Sequence, residues 1–284
     1  MASALVAPAP VSAQDGCIFG DRGRNDFVSR TLPGLGRVTY IGGPHFDCAG
    51  GVQIFADSAV AYDARGMSDL IGSVRYLESG REMRADRARY FTNEGRLQAQ
   101  GNLLVVDEIN GSSIRDGELV YLMETDFRET AEMTVTRGAD GVRPRAVLTP
   151  PPDTAAADSA EVSAEPPGAE REAPPAGEGA AARDDSADSR EPYTVVAERI
   201  YIRGQDYFSA SGDVVIERDS LFAYADSAEY DQGGEGLALE GRARVVGDSY
   251  ELTGRRILMT NPGGDTSEVQ ALREARLVGD DVLL

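Results

Sequence analysis

Few residues in this chain have the type and spacing that chemistry requires. The one histidine, His45, sits in the run Gly42-Gly43-Pro44-His45-Phe46-Asp47. A Ser-His-Asp set needs a nucleophile held against the imidazole, and no G-x-S-x-G elbow accompanies it. His45 therefore reads as a turn histidine. The two cysteines, Cys17 and Cys48, have no C-x-x-C spacing. Two cysteines and one histidine fall short of a four-ligand zinc site unless carboxylates join them. They are either free thiols or one disulfide. A Cys17–Cys48 bridge would close a loop of 31 residues and stabilise the N-terminal region by about 3–4 kcal/mol in the chain-entropy model. Carboxylate pairs such as Asp184-Asp185 and Asp280-Asp281 lie in a low-complexity stretch and in the tail. Asp57, Asp86 and Asp226 recur with a repeat, which points to a turn or groove-edge role before catalysis or calcium binding. Asn110-Gly111-Ser112 matches a glycosylation acceptor but reads as a turn. No phosphate-binding G-x-x-x-x-G-K-[ST] run occurs. The expectation is a protein without enzymatic activity, metal or cofactor.

The charge balance narrows the partners. The chain has 284 residues, 28 basic and 48 acidic, for a net charge of −20. Every basic residue is Arg. An acidic excess of this size disfavours nucleic acid, whose binders carry a basic face. It also disfavours a polybasic membrane-surface role. No run approaches the roughly 18 apolar residues of a membrane helix. The 32 glycines and short periodic runs favour a turn-rich β protein.

Two segments stand apart. Residues 1–16 read as the remnant of a signal peptide whose start lies upstream. Met1–Gln14 has a small apolar run, Ala4–Ala9, then Val11-Ser12-Ala13, which fits a cleavage site. Export would favour the disulfide. Residues 149–192 hold eight of the 14 prolines, 11 acidic residues and three arginines. No aromatic lies there, and Val162 is the one β-branched aliphatic residue. Such a segment buries too little apolar area to offset its ordering entropy. It reads as a disordered acidic Pro/Ala-rich insertion.

The flanking parts, 17–148 and 193–284, repeat internally. Ala56-Asp57-Ser58-Ala59 returns as Ala85-Asp86-Arg87-Ala88 and as Ala225-Asp226-Ser227-Ala228. Weaker copies start at Asp116, Ala197 and Gly254. The unit is about 29 residues, and the insertion interrupts one continuous array. Within each unit the third and fifth residues after the start share a face: Ala59/Ala61, Ala88/Tyr90, Leu119/Tyr121, Ile200/Ile202, Ala228/Tyr230 and Ile257/Met259. A small residue recurs 15–16 positions from the start, at Gly72, Gly101, Ala131, Gly212 and Gly241, with Arg273 in the looser sixth copy. Around it Leu97, Leu103 and Val105 share one parity, as do Phe208, Val214 and Ile216, and Leu237, Leu239 and Val245. Period two with one apolar face is a half-buried strand. Each unit thus reads as two strands, with turns such as Asn93-Glu94-Gly95 between them.

Two-faced strands must bury their apolar sides against one another. Two strands per unit with facing apolar sides make a V. The small residues on the inner face either leave space or let two sheets approach closely.

The A-D-x-A-x-Y unit followed by an apolar-alternating G-x-V-x-V strand resembles the OstA-like family of lipopolysaccharide-transport proteins, which includes LptA and the N-terminal domain of LptD. The likeness is strongest over 208–244 and 83–106 and covers about residues 50–148 and 193–278. It implies an all-β, elongated antiparallel β-jellyroll, V-shaped and repeat-built. It implies that the inward set named above lines an apolar groove for the acyl chains of lipopolysaccharide or a similar multi-acyl lipid. It further implies periplasmic location and strand-edge contact with other OstA-like, LptC-type or LptD-type proteins, including head-to-tail self-association. With Leu284 as the last residue and no large barrel after it, a bridge or adaptor is expected. The insertion departs from the family pattern. The rival reading is a self-assembling β-solenoid structural protein of the cell envelope.

Overall fold

The structure is a computed structural model that describes residues 18–19, 27–149, 192–204, 207–231, 236–260 and 268–279. The presumed signal remnant and nearly all of the insertion lie outside these residues. The strands are β1 (Ile18–Phe19), β2 (Phe27–Leu32), β3 (Gly36–Gly42), β4 (His45–Asp47), β5 (Gln53–Phe55), β6 (Ser58–Tyr62), β7 (Met67–Glu78), β8 (Arg81–Phe91), β9 (Arg96–Gln100), β10 (Leu104–Asp107) and β11 (Ser112–Arg115). They continue with β12 (Glu118–Leu122), β13 (Glu132–Thr136), β14 (Arg145–Leu148), β15 (Tyr193–Val196), β16 (Arg199–Arg203), β17 (Tyr207–Arg218), β18 (Leu221–Asp231), β19 (Gly236–Val246), β20 (Tyr250–Thr260), β21 (Glu268–Leu272) and β22 (Arg276–Gly279). All pairings are antiparallel.

One hydrogen-bonded sheet is folded lengthwise into two leaves. Leaf 1 runs β2-β3-β6-β7-β8-β9-β12-β13-β16-β17-β18-β19-β20-β21. Leaf 2 runs β1-β4-β5-β7-β8-β10-β11-β14-β15-β17-β18-β19-β20-β22. The long strands belong to both leaves: residues 67–71 of β7 lie in leaf 1 and 74–78 in leaf 2. Among the described residues every strand pairing stays within one leaf. The leaves join along a line of corners and face each other up to an opposite edge, the mouth. This is the all-β, antiparallel, V-shaped and repeat-built architecture expected above. Each 29-residue unit is two full passes across both leaves.

The repeat motif is the corner. Strands β7, β8, β17, β18, β19 and β20 cross it with register shifts between Ile71 and Val74, Ser211 and Val214, Tyr224 and Ser227, and Glu240 and Ala243. One pass bends through a glycine and the residue after it, both with positive φ: Gly101 (79°) with Asn102 (45°), Gly241 (71°) with Arg242 (47°), and likewise at Gly72 and Gly212. The adjacent pass bends through the acid of the A-D unit, which lies over that glycine. Asp86 donates its backbone N–H to the Gly101 carbonyl at 2.8 Å, as Asp57 does to Gly72 and Glu198 to Gly212. Its carboxylate accepts from Asn102 Nδ2 at 2.9 Å. Ser73 donates to Asp57 at 3.0 Å, and Arg242 Nε to Asp226 at 2.8 Å. A Cβ on Gly101 would stand 2.7 Å from Asp86 Oδ2, and one on Gly241 would collide with Asp226 Oδ2. Only glycine meets both the left-handed backbone and this close approach.

Two units depart from the glycine corner. Ala131 is not a corner residue but lies beside the mouth, just before β13. The β12–β13 connection, around the bridge between Thr125 and Arg128, shifts the bend to the stretch between β13 and β14. At the last corner Arg273 and Glu274 take the positive-φ places (62° and 59°), and Arg255 N–H donates to the Arg273 carbonyl at 3.0 Å. The insertion leaves β14 after Leu148 and returns at β15, where Leu148 and Tyr193 are direct cross-strand neighbours. The ladder runs past it unbroken.

Replacing Gly101 or Gly241 by Ala is expected to cost about 1–3 kcal/mol, the usual scale for a strained bend. The check is the urea midpoint of unfolding. An unchanged midpoint would mean that the corner forms without glycine.

Candidate functional site

The inner faces of the two leaves form the candidate site. Alternation sends every second side chain of a strand inward, and the corners keep the inward sets of both leaves facing each other. Leaf 1 contributes Ala59, Ala88, Tyr90, Leu97, Leu119, Tyr121, Ile200, Phe208, Ala228, Leu237, Leu239, Ile257 and Met259, all buried. Ala61, Ile202 and Tyr230 pack against this core at its edge. Leaf 2 contributes Leu103, Val105, Val214, Ile216 and Val245, also buried. The residues singled out from the sequence thus meet in one apolar interior.

Sequence reasoning missed much of leaf 2 and of the long strands: Ile54, Leu70, Val74, Tyr76, Met83, Ile114, Val135, Ala146, Val195 and Leu252 are equally buried. It also missed the first residue of the A-D unit. Ala85, Ala197 and Ala225 face inward, because the inward parity changes phase at the acid. The run Met83, Ala85, then Ala88, Tyr90 carries that phase change in its spacing.

The alanines gather beside the corner line, where the leaves converge. Ala88 and Ala99 are directly paired there, as are Ala210 and Ala228. The small residues thus serve close approach of the leaves. The interior is filled: its side chains keep under a tenth of their exposure, and Leu97, Ile200, Leu239, Val245 and Ile257 keep none. Acyl chains would have to take the place of contacts between the leaves. A shallow cleft of about 300 Å³ lies on the outer face of leaf 1 between Arg199, Tyr201, Ser209 and Ser211.

At the mouth the interior turns polar over one stretch. Tyr121 reaches from leaf 1 to leaf 2, where its hydroxyl donates to the Glu78 carboxylate and accepts from Arg81 Nη1 at 2.9 Å. Arg81 Nη2 donates to Asp107 Oδ2 at 2.9 Å, and the guanidinium lies 5.6 Å from the Tyr121 ring centroid. Tyr76 meets Tyr121 edge-on at 5.8 Å. Burial, followed by the nearby Glu78 charge, pushes the hydroxyls of Tyr76, Tyr121 and Tyr90 above the ordinary phenol value. Burial works against the charge of Arg81, but Tyr121, Asp107 and Glu78 outweigh it and raise its pKa. Farther along, Arg218 Nη1 donates to Tyr193 OH at 3.1 Å and lies over that ring.

The other candidates sit elsewhere in the fold. His45 is buried and stacks on Phe55 with ring centroids 4.4 Å apart, while its Nε2 lies 3.2 Å from Asp47 Oδ1. Asp57, Asp86 and Asp226 occupy corners. Cys48 is disulfide-bonded; Cys17, the other half of the expected bridge, lies outside the described residues. Among the described residues no group of three His, Cys, Asp or Glu could hold a metal ion, and no helix is long and apolar enough to cross a membrane.

At the C-terminal end the interior meets solvent. Leu277 faces inward opposite the buried Leu252, yet it is 44% exposed. Leu272 and Val278 are exposed beside it, and at the other end Phe27 and Val28 are exposed on β2. Among the described residues β2 pairs only with β3, and β21 and β22 only with β20.

No family model matches the chain, and no curated protein matches it.

The buried tyrosines make alkaline stability a direct probe of this interior. A hydroxyl whose folded pKa is raised stabilises the fold below its unfolded value, near 10, and that contribution is lost as pH rises through the folded value. Burial raises the Tyr193 hydroxyl as well, so of the 11 tyrosines, Tyr76, Tyr90, Tyr121 and Tyr193 are expected to ionise only together with unfolding. Phenolate absorbance and circular dichroism, followed over one alkaline titration, check this. Complete ionisation near pH 10 with the sheet intact would contradict the packing described.

Proposed function

We propose that this protein is a non-enzymatic lipid carrier of the cell envelope, an OstA-like bridge or adaptor. Its interior takes the acyl chains of lipopolysaccharide or a similar multi-acyl lipid and passes them toward the outer membrane. The observation that carries this reading is the continuous apolar interior held between two leaves whose backbone ladders, among the described residues, join only at the corners. Each methylene moved out of water gains about 0.8 kcal/mol. A carrier across an aqueous space therefore needs such a run of apolar surface from end to end. Acyl chains enter at the mouth as the leaves part, and inward residues such as Ile216, Leu239 and Val245 exchange one another for lipid.

The terminal strand edges support end-to-end docking. Among the described residues β2 and β22 pair along one side only, an edge that can accept another strand, and Leu277 and Val278 give that contact an apolar patch. The partners are OstA-like, LptC-type or LptD-type chains, or a second copy of this one. The setting is the periplasm, where a disulfide at Cys48 persists.

A filled interior and exposed apolar end strands also favour the rival reading, a self-assembling β polymer of the envelope. The two readings separate on lipid. Ile216→Asp and Leu239→Asp drive a carboxylate into the apolar interior, which costs several kcal/mol. Arg244→Asp changes an exposed group of the outer face that pairs with Glu251. Both inward variants are expected to lose loading with a fluorescent multi-acyl lipid, whereas the outward variant keeps it. Equal loading in all three would overturn the carrier reading.

A further inference from the structure

We propose that Tyr121, Glu78, Arg81 and Asp107 form a releasable latch that holds the two leaves together at the mouth, and that the leaves part there about the corners. The proposal takes only its cargo from the lipid reading.

Tyr121 comes from β12 of leaf 1, and the other three come from β7, β8 and β10 of leaf 2. The Tyr121 hydroxyl is a polar tie between the leaves, as it donates to Glu78 and accepts from Arg81 at 2.9 Å. Arg81 in turn is held by Asp107 at 2.9 Å. Glu78, Arg81 and Asp107 occupy the mouth-side inward row of leaf 2, where Val52, Leu148 and Leu221, and the pair Tyr193 and Arg218, hold the same place on other strands. An apolar side chain would fill that row equally well, so packing alone does not account for three charges. Polar groups give the tie a particular property. Closed, the hydrogen bonds to charged groups are strong. Parted, each group regains water at little cost, whereas a row of apolar side chains would remain exposed. The side chains of Glu78, Arg81 and Asp107 keep 21%, 21% and 12% of their exposure, so water reaches the tie from the rim. Behind it lies the buried Val105, one inward row deeper than Asp107 on β10, which only an opened mouth would expose.

The test is thiol labelling under non-reducing conditions of a cysteine placed behind the latch, Val105→Cys, and of one placed far along the array, Val245→Cys. Each is measured with and without Tyr121→Phe, which removes one hydroxyl and keeps the ring. The latch predicts labelling at position 105 about tenfold faster in the Tyr121→Phe background, the scale of one lost hydrogen bond to a charged group. Labelling at position 245 stays unchanged. Glu78→Gln is expected to act in the same direction. Arg89→Gln, which removes an outer-face pair with Asp69 within leaf 1, is expected to change neither rate. Unchanged labelling at 105, or equal acceleration at both positions, would overturn the latch. Uptake of an apolar naphthylamine dye separates the two claims. Faster labelling without dye uptake keeps the latch and removes the carrier reading. Dye uptake with unchanged labelling keeps the carrier reading and removes the latch.

Discussion

The bend at the corner is the constraint on which the rest of the structure depends. A flat sheet of this length would have one apolar face and nothing to bury it against. Folding the sheet along a line lets its two halves cover each other, and each pass must then turn at the same height. The acid of one pass lies over the glycine of the next, and its backbone N–H and carboxylate both bond across the bend at Asp86 and Gly101. Repeated along the chain, this arrangement fixes which parity faces inward on each leaf. It explains why the motif recurs about every 29 residues: one period contains one acid corner and one glycine corner.

Three features follow from the corner. Alanines gather beside it because the leaves are closest there. Bulkier side chains such as Tyr90, Tyr121 and Phe208 lie toward the mouth, where the leaves have diverged. The outer faces are left to charge, and pairs such as Arg89–Asp69 and Arg244–Glu251 bridge neighbouring strands there. The array also tolerates a long excursion at a mouth-side hairpin, since Leu148 and Tyr193 pair directly whatever lies between them.

The fold was legible in the sequence to the extent that it is periodic. Alternation around Leu97–Val105 and Phe208–Ile216 identifies strands and an inward face, and both hold across a glycine corner because the parity continues through it. At the acid corners the parity changes phase between Ala85 and Ala88, so a search for unbroken alternation loses half of each long strand. Ala131 shows the other limit. It stands at the recurrent small position that elsewhere proves to be a corner, but the β12–β13 connection moves the bend, and connection lengths are set by contacts that periodicity does not express. The latch was not legible as a site. Glu78, Arg81, Asp107 and Tyr121 are 43 residues apart at their extremes, and only the stacking of β7, β8, β10 and β12 brings them together. Tyr121 was recognised as inward-facing, but not as the group that crosses between the leaves.

The most direct test of the account is native mass spectrometry of the protein purified from the cells that make it, followed by denaturing lipid extraction. An apolar interior that opens to take acyl chains predicts a stoichiometric mass increment that is released on denaturation as a multi-acyl lipid, whose mass names the cargo. A lipid-free protein that assembles into long filaments would contradict it and leave the interior as the core of a structural polymer.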